Sequence, residues 1–348
     1  MGTRERRLRS NESDLLISQL FIASGADSDE IAIAAVGSFG RGELSPGSDL
    51  DIVILHGGSY ETAKLTEIVN SILYPLWDKK IKVDHSVRTR SEVRAALSED
   101  LKVAMGLLDI RLICGSADLV ADIQVMALEA WRDDSARYLP LLKDTLEERY
   151  ERTGELAYLL EPDLKESRGG LRDITALRAM NTSGALVLPM ERISQAESIL
   201  STVREALHIV SGRDKDRLLF TEQDKVAALL KYEDADVLMS EVAQAARAVD
   251  YLMQMAWHQY HHKGKDGIGR FLRKVRSTAI SPGLSVSNKE VVIDSTFDID
   301  SDPVIGLRAA ATAAQLGLRL SFDSLRIYAD ALDAGRGALP NPWPREAR

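Results

Sequence analysis

Two apolar runs, residues 31–36 and 50–55, frame a stretch holding Gly37, Gly40 and Gly42 and then two aspartates one residue apart, Asp49 and Asp51. Short apolar runs bounded by glycine and serine read as buried strands. The stretch between them must then be a tight connection ending at a sheet edge. Alternate side chains of a strand share a face, so Asp49 and Asp51 point one way while Leu50 and Ile52 point into a core. Two carboxylates on one edge suit a hard cation. Magnesium takes few carboxylates and fills its shell with water and substrate phosphates, which points to phosphoryl or nucleotidyl transfer. The turn supplies a complement: its glycines let main-chain N–H groups approach phosphates, and Ser38 offers a hydroxyl. The glycine spacing is G-x-x-G-x-G and no G-x-x-x-x-G-K-[ST] occurs, which removes the dinucleotide-fold and P-loop readings.

With 348 residues the chain can bury a substantial core and is expected to hold more than one domain. A formal charge of −9 argues against a general nucleic-acid binder. The basic clusters at 4–9 and 263–276 read as a solvated terminus and loop. No apolar run is long enough to span a bilayer and the N-terminus is charged, so a cytoplasmic protein without a membrane partner is expected. Cys114 is the only cysteine; it excludes an internal disulfide and reads as a small buried residue.

Periodicity predicts a helix over 12–25, the two strands, a helix over 61–73 stopped by Pro75, and a strand over 81–85. From about Glu99 the pattern turns helical: 119–131, 135–152, 193–210, 222–231 and 236–262. A strand pair follows at 284–287 and 290–294, turning at Asn288 and Lys289, and then helices at 303–316 and 321–333. The fold class is α+β, a small mixed sheet with helices followed by a mostly helical bundle. The expected division is 1–115, 116–265 and 266–348. His258 and His262, four apart on a helix, invite a metal reading, against which stands a plain solvated helix end.

The Gly37-Ser38 turn, Arg41, Glu43-Leu44 and Ser48-Asp49-Leu50-Asp51 resemble the polymerase-β-type nucleotidyltransferases, and in detail the PII uridylyltransferase/uridylyl-removing enzymes of bacterial nitrogen control. His85-Ser86-Val87-Arg88-Thr89, after Leu76-Trp77-Asp78, is similar to a second motif of that family. Lys165-Glu166-Ser167-Arg168-Gly169-Gly170-Leu171-Arg172-Asp173 resembles a third. Weaker similarity runs from Arg217-Leu218-Leu219-Phe220 to Pro342-Trp343-Pro344.

The resemblance implies transfer of a nucleotidyl group, UMP from UTP or AMP from ATP, to a tyrosine hydroxyl of the PII signalling protein. Two magnesium ions would be held by Asp49, Asp51 and a third carboxylate. Asp84 is the candidate for that third place, with a strand-end salt bridge as its alternative. Gly37, Ser38 and Gly40 would face the phosphates. Arg41 either meets a phosphate or pairs with Glu43, and Arg88 reaches substrate phosphate or is structural. Gly169 and Gly170 let backbone amides face an anion or let domains pack closely. Lys165 and Asp173 would organise the nucleotide or the domain junction. Similar enzymes continue into an HD hydrolase domain and two ACT domains. None of the six histidines here is followed by aspartate, so an N-terminal fragment or short form without uridylyl removal or glutamine sensing is expected. The competing readings are a transferase acting on glutamine synthetase or a small molecule, and a non-catalytic nucleotide-binding module.

Overall fold

The computed structural model describes residues 2–263, 278–287, 290–294 and 296–337. The chain forms two units, Met1–Tyr260 and His261–Arg348. In the first, the order is α1 (Thr3–Ala23), β1 (Ile31–Ala35), α2 (Gly37–Gly40), β2 (Leu50–His56), α3 (Thr62–Asp78), β3 (Val83–Arg88), α4 (Arg90–Glu99), α5 (Leu101–Leu107) and β4 (Arg111–Gly115). Six helices follow: α6 (Ala117–Asp133), α7 (Ser135–Thr153), α8 (Leu171–Thr182), α9 (Ser194–Ser211), α10 (Phe220–Leu230) and α11 (Ala235–Lys263). The strands make one mixed sheet in the order β3-β2-β1-β4, with β1 antiparallel to β2 and β4, and β2 parallel to β3. The α+β architecture expected from the periodicity is therefore present.

Period-two alternation gives the sheet two buried faces. Ile31, Ile33, Ile52 and Ile54 pack under Ile17 and Phe21 of α1 and Ile68 and Ile72 of α3. Ala32, Ala34, Val53 and Leu55 share the opposite core with Trp131, Leu177, Leu200 and Val242 of the helices. Alanines on β1 keep that face shallow, so helices lie close over it. Trp131 anchors this core, stacked on Tyr138 with centroids 4.7 Å apart and donating from Nε1 to Ala179 O at 2.8 Å.

Four local expectations change. The helix over 61–73 runs through Pro75 to Asp78. Proline removes one N–H, but Leu73 and Leu76 keep the apolar face in the core, and Pro75 O still accepts from Lys79 N. The third strand is Val83–Arg88, shifted from 81–85. Residues 111–115, within the part expected to be helical, form edge strand β4, a run too short for periodicity to resolve. The basic cluster at 4–9 is not a solvated terminus: α1 begins at Thr3, Arg6 is buried, and Arg6 and Arg9 both pair with buried Glu205 of α9.

The second unit contains β5 (Thr278–Ser281), β6 (Leu284–Ser287), β7 (Glu290–Ile293), α12 (Ile305–Leu316), β8 (Arg319–Leu320) and α13 (Phe322–Asp333). Its sheet order is β5-β6-β7-β8, around Leu284, Ile293, Ile305 and Ala309. The expected strand pair is β6 and β7. Residues 264–276 of the second basic cluster, the turn at Asn288 and Lys289, the Pro342-Trp343-Pro344 segment and the His262 side chain lie outside the described residues. Among the described residues no helix is long and apolar enough to cross a membrane.

Candidate active site

Strands β2 and β3 run parallel with Asp51 in register with Asp84. Partners in register on parallel strands share a face and lie about 4.8 Å apart across the sheet. Asp49, two residues before Asp51, is on the same side at the strand entrance. Asp49 and Asp84 are exposed while Asp51 is half-buried. Burial, and then the charges of Asp84 and Asp49, raise the pKa of the Asp51 carboxyl, with Lys165 and Lys102 pulling the other way. Three acids thus repel one another at one strand edge.

The turn before them opens onto that edge. Val36 N donates to Asp51 O at 3.0 Å, so the chain leaves β1 directly beside Asp51. Gly37 takes a φ of 58°, and a Cβ there would lie 3.5 Å from Asp51 Oδ2. A side chain at this position would be both strained and in contact with the carboxylate. Ser38 follows in the single helical turn of α2, whose first N–H groups have no partner within the turn.

An oxygen-only donor set with surplus negative charge suits a divalent cation. Among the described residues, however, no three His, Cys, Asp or Glu side chains converge as a ready-made cage. Lys82 Nζ lies 3.9 Å from Asp49 Oδ1 and pairs with Asp214, so an ammonium occupies part of the acid edge's surroundings.

The other predicted residues divide. Gly40 is buried against the 109 backbone: a Cβ would sit 2.0 Å from Asp109 O, so this glycine serves close packing. Arg41 forms the ion pair of its two readings, 2.8 Å from Glu43 and also bound to Asp109. Burial opposes its charge, but Asp109 and Glu43 outweigh that and hold the guanidinium pKa above its ordinary value. Arg88 shares the face of Asp84 four residues on, about 13 Å along the strand. His85 turns to the other face, its ring 6.0 Å from that of Trp77.

Lys165 is half-buried, with Nζ 3.9 Å from Asp216 Oδ2, and its charge reaches Asp51. Gly169 and Gly170 are buried: a Cβ on Gly169 would lie 2.6 Å from Ala246 O of α11, and one on Gly170 would meet three carbonyls of residues 164–167 within 2.9 Å. Both glycines therefore serve close packing, inside the helical region and their own loop rather than between the expected domains. Asp173 is fully buried in the first turn of α8, accepts from Gly169 N at 2.7 Å and pairs with Arg149.

Four residues near the edge were not picked out from the sequence: Lys102, Arg204, His208 and Asp216. Arg204 and His208 are four apart on the buried face of α9 beside Leu200 and Leu207. Polar residues inside an apolar stripe were the available signal.

The nucleotidyltransferase domain family matches residues 23–104, which contain the turn and all three acids. The family described as GlnD PII-uridylyltransferase matches residues 141–183 and 187–257. A bifunctional uridylyltransferase/uridylyl-removing enzyme of Streptomyces coelicolor is 40% identical over the whole of this chain and 42% of its own length. The enzyme of that name from Mycobacterium tuberculosis is 33% identical over the whole chain and 43% of its own length. That from Vibrio atlanticus is 35% identical over 71% of this chain and 31% of its own length. The chain belongs to the PII-uridylyltransferase family. It spans less than half the length of these relatives. Within the family match, the Lys165 to Asp173 motif places Lys165 toward the acid edge and turns its glycines and Asp173 inward.

Proposed function

We propose that the chain transfers a nucleotidyl group, UMP from UTP or AMP from ATP, to a tyrosine hydroxyl of a PII signalling protein and releases pyrophosphate. The observation that carries this reading is the in-register pair Asp51 and Asp84, with Asp49 on the same face, beside the Gly37-Ser38 turn. Asp49, Asp51 and Asp84 would hold magnesium. When bound, the metal supplies charge neutralisation for the phosphates and assistance in ionising the incoming hydroxyl.

The chain's own residues supply the rest. Gly37 and Ser38 border the edge where the phosphates would lie, with the Gly37 backbone free to approach. Lys165 and Lys102, whose charges reach Asp51, balance triphosphate charge from the helical side. The phenol oxygen forms a bond to the α-phosphorus as the bond to the bridging oxygen of the β-phosphate breaks, and that oxygen leaves with the electron pair on pyrophosphate. A phenol with a pKa of about 10 needs metal or base assistance, and exposed Asp84 supplies one or the other, as a metal-holding carboxylate or as the acceptor of the proton. Arg41, committed to Glu43 and Asp109, holds the turn, and Asp173 holds the junction. In this reading residues 1–115 carry the chemistry, 116–265 cover it, and the reaction takes place in the cytoplasm without nucleic acid.

Calorimetric titration of UTP and ATP, with and without magnesium, followed by transfer of label to PII, tests the proposal. Magnesium-dependent binding and labelling of a PII tyrosine are expected. Absence of nucleotide binding would remove the transfer reading; binding without labelling would move the acceptor to glutamine synthetase, a small molecule or none.

A further inference from the structure

The segment that delivers Asp49 to β2 is held by α1 at Leu44 and by α9 at Ser45 and Pro46. Arg204 donates to Ser45 Oγ at 2.9 Å, and His208 Nδ1 lies 2.9 Å from Pro46 O. Each turns another nitrogen to a single oxygen of Asp216: Arg204 Nε at 2.6 Å and His208 Nε2 at 2.8 Å. The His208 side chain is 1% exposed, and those of Arg204 and Asp216 are 14% and 12% exposed. Lys165 lies 3.9 Å from the second oxygen, and Leu164 N donates to Asp216 O at 2.8 Å. One carboxylate therefore connects the residue before Pro46, the carbonyl of Pro46 and the lysine whose charge reaches Asp51.

The chemistry of the ring makes this grip directional. A carbonyl oxygen and an ionised carboxylate only accept, so a ring nitrogen that carries a proton donates to whichever of the two it faces. Asp216 stays ionised. Burial alone would raise its pKa, but hydrogen bonds from His208 and Arg204 and the charges of Arg204 and Lys165 reverse this and bring it to about 2. Outside the hub, the loop's own closure is a turn bond from Ser48 N to Ser45 O at 3.1 Å.

We infer that Asp216, with Arg204 and His208, is the positioning unit of the acid edge: it presets the Ser45-Pro46 segment that carries Asp49 and orients Lys165 toward Asp51. Its consequence for the metal and nucleotide rests on the proposed transfer reaction; its hold on the loop does not. The helical region thus sets the geometry of carboxylates that belong to the sheet.

Three variants of the 348-residue chain test this. Ser45→Ala removes only the loop's hydroxyl contact and leaves the buried pairs intact. His208→Gln and Asp216→Asn break the hub itself. Amide exchange of residues 44–50, measured without nucleotide, is expected to quicken about tenfold in the two hub variants. The magnesium concentration for half-maximal nucleotide binding is expected to rise about fivefold in all three. In Ser45→Ala this rise comes with an unchanged melting temperature, and KM for the nucleotide rises more than kcat falls. Parental exchange and an unchanged magnesium midpoint in His208→Gln, with a lowered melting temperature, would make the hub ordinary packing and overturn the inference. Should Asp216→Asn fail to fold, His208→Gln and Ser45→Ala decide, an unshifted midpoint in either counting against it. A parent chain that binds no nucleotide would sink the transfer reading, and exchange in His208→Gln would still decide the loop: quickened supports the hub, parental refutes it.

Discussion

Asp51 and Asp173 both have carboxyl pKa values raised by burial, yet their surroundings are opposite. Asp51 next meets the charges of Asp84 and Asp49, and Lys165 and Lys102 act on it through charge alone. Asp173 meets Arg149 and the amide of Gly169, both in direct contact. One acid is left with charge the fold does not neutralise; the other is saturated. Evolution of a stable fold alone has no use for three acids at one edge, because like charges cost free energy. The unsatisfied group is the one to assign to chemistry, and the satisfied one to architecture.

The strongest way to break this contrast is to neutralise each side. Asp49→Asn with Asp51→Asn should lower nucleotidyl transfer by about a thousandfold or more, while the melting temperature holds or rises because repulsion is relieved. Transfer assays beside calorimetry check both halves; a fall in melting temperature with modest loss of activity would reverse the assignment. Asp173→Ala should act the other way, removing about 3–5 kcal/mol of stability because Arg149 is left buried without its partner. Urea unfolding measures that loss, and the folded fraction should keep its nucleotide affinity.

A third test uses acid. Asp216 is lowered from 3.8 to about 2, so the unfolded chain takes up its proton first as pH falls. Its contribution, about 2 kcal/mol, is complete above pH 4 or so and is lost as pH falls toward 2. Urea midpoints between pH 6 and pH 2 should drop more steeply for the parent than for Asp216→Asn. The smallest effect belongs to Lys82, on an exposed pair of little energetic weight. Lys82→Met should leave melting unchanged and lower the magnesium midpoint about twofold, because Asp49 loses its competing ammonium. A raised midpoint would show the lysine helping to hold the ligand instead.

The acid edge was legible because it is local: period-two alternation, glycine chemistry and the residues of one turn fix where Asp49 and Asp51 point. Asp84 needed only the neighbouring strand. The roles of Gly40, Gly169 and Gly170 were harder to read, since an absent side chain serves a phosphate and a tightly packed backbone equally well, and only the position of Asp109 O or Ala246 O separates them. Pro75 misled because local backbone rules were outweighed by the burial of Leu76. The Asp216 hub was hidden for another reason. Its partners, Ser45 and Pro46, are about 160 residues away in sequence, and no spacing rule reaches that far.

The bond between α1 and α9 bears on how the protein can be handled at the bench. Glu205, 1% exposed, takes Arg6, Arg9 and the amide of Gly2 as partners. Clipping the first nine residues by a protease, or fusing a bulky tag that pulls them away, would strand an anion next door to Arg204 on the same helix. Damage inflicted at the leading end would then surface as poor performance some forty residues downstream, at Leu44, whose carbonyl Arg9 also holds.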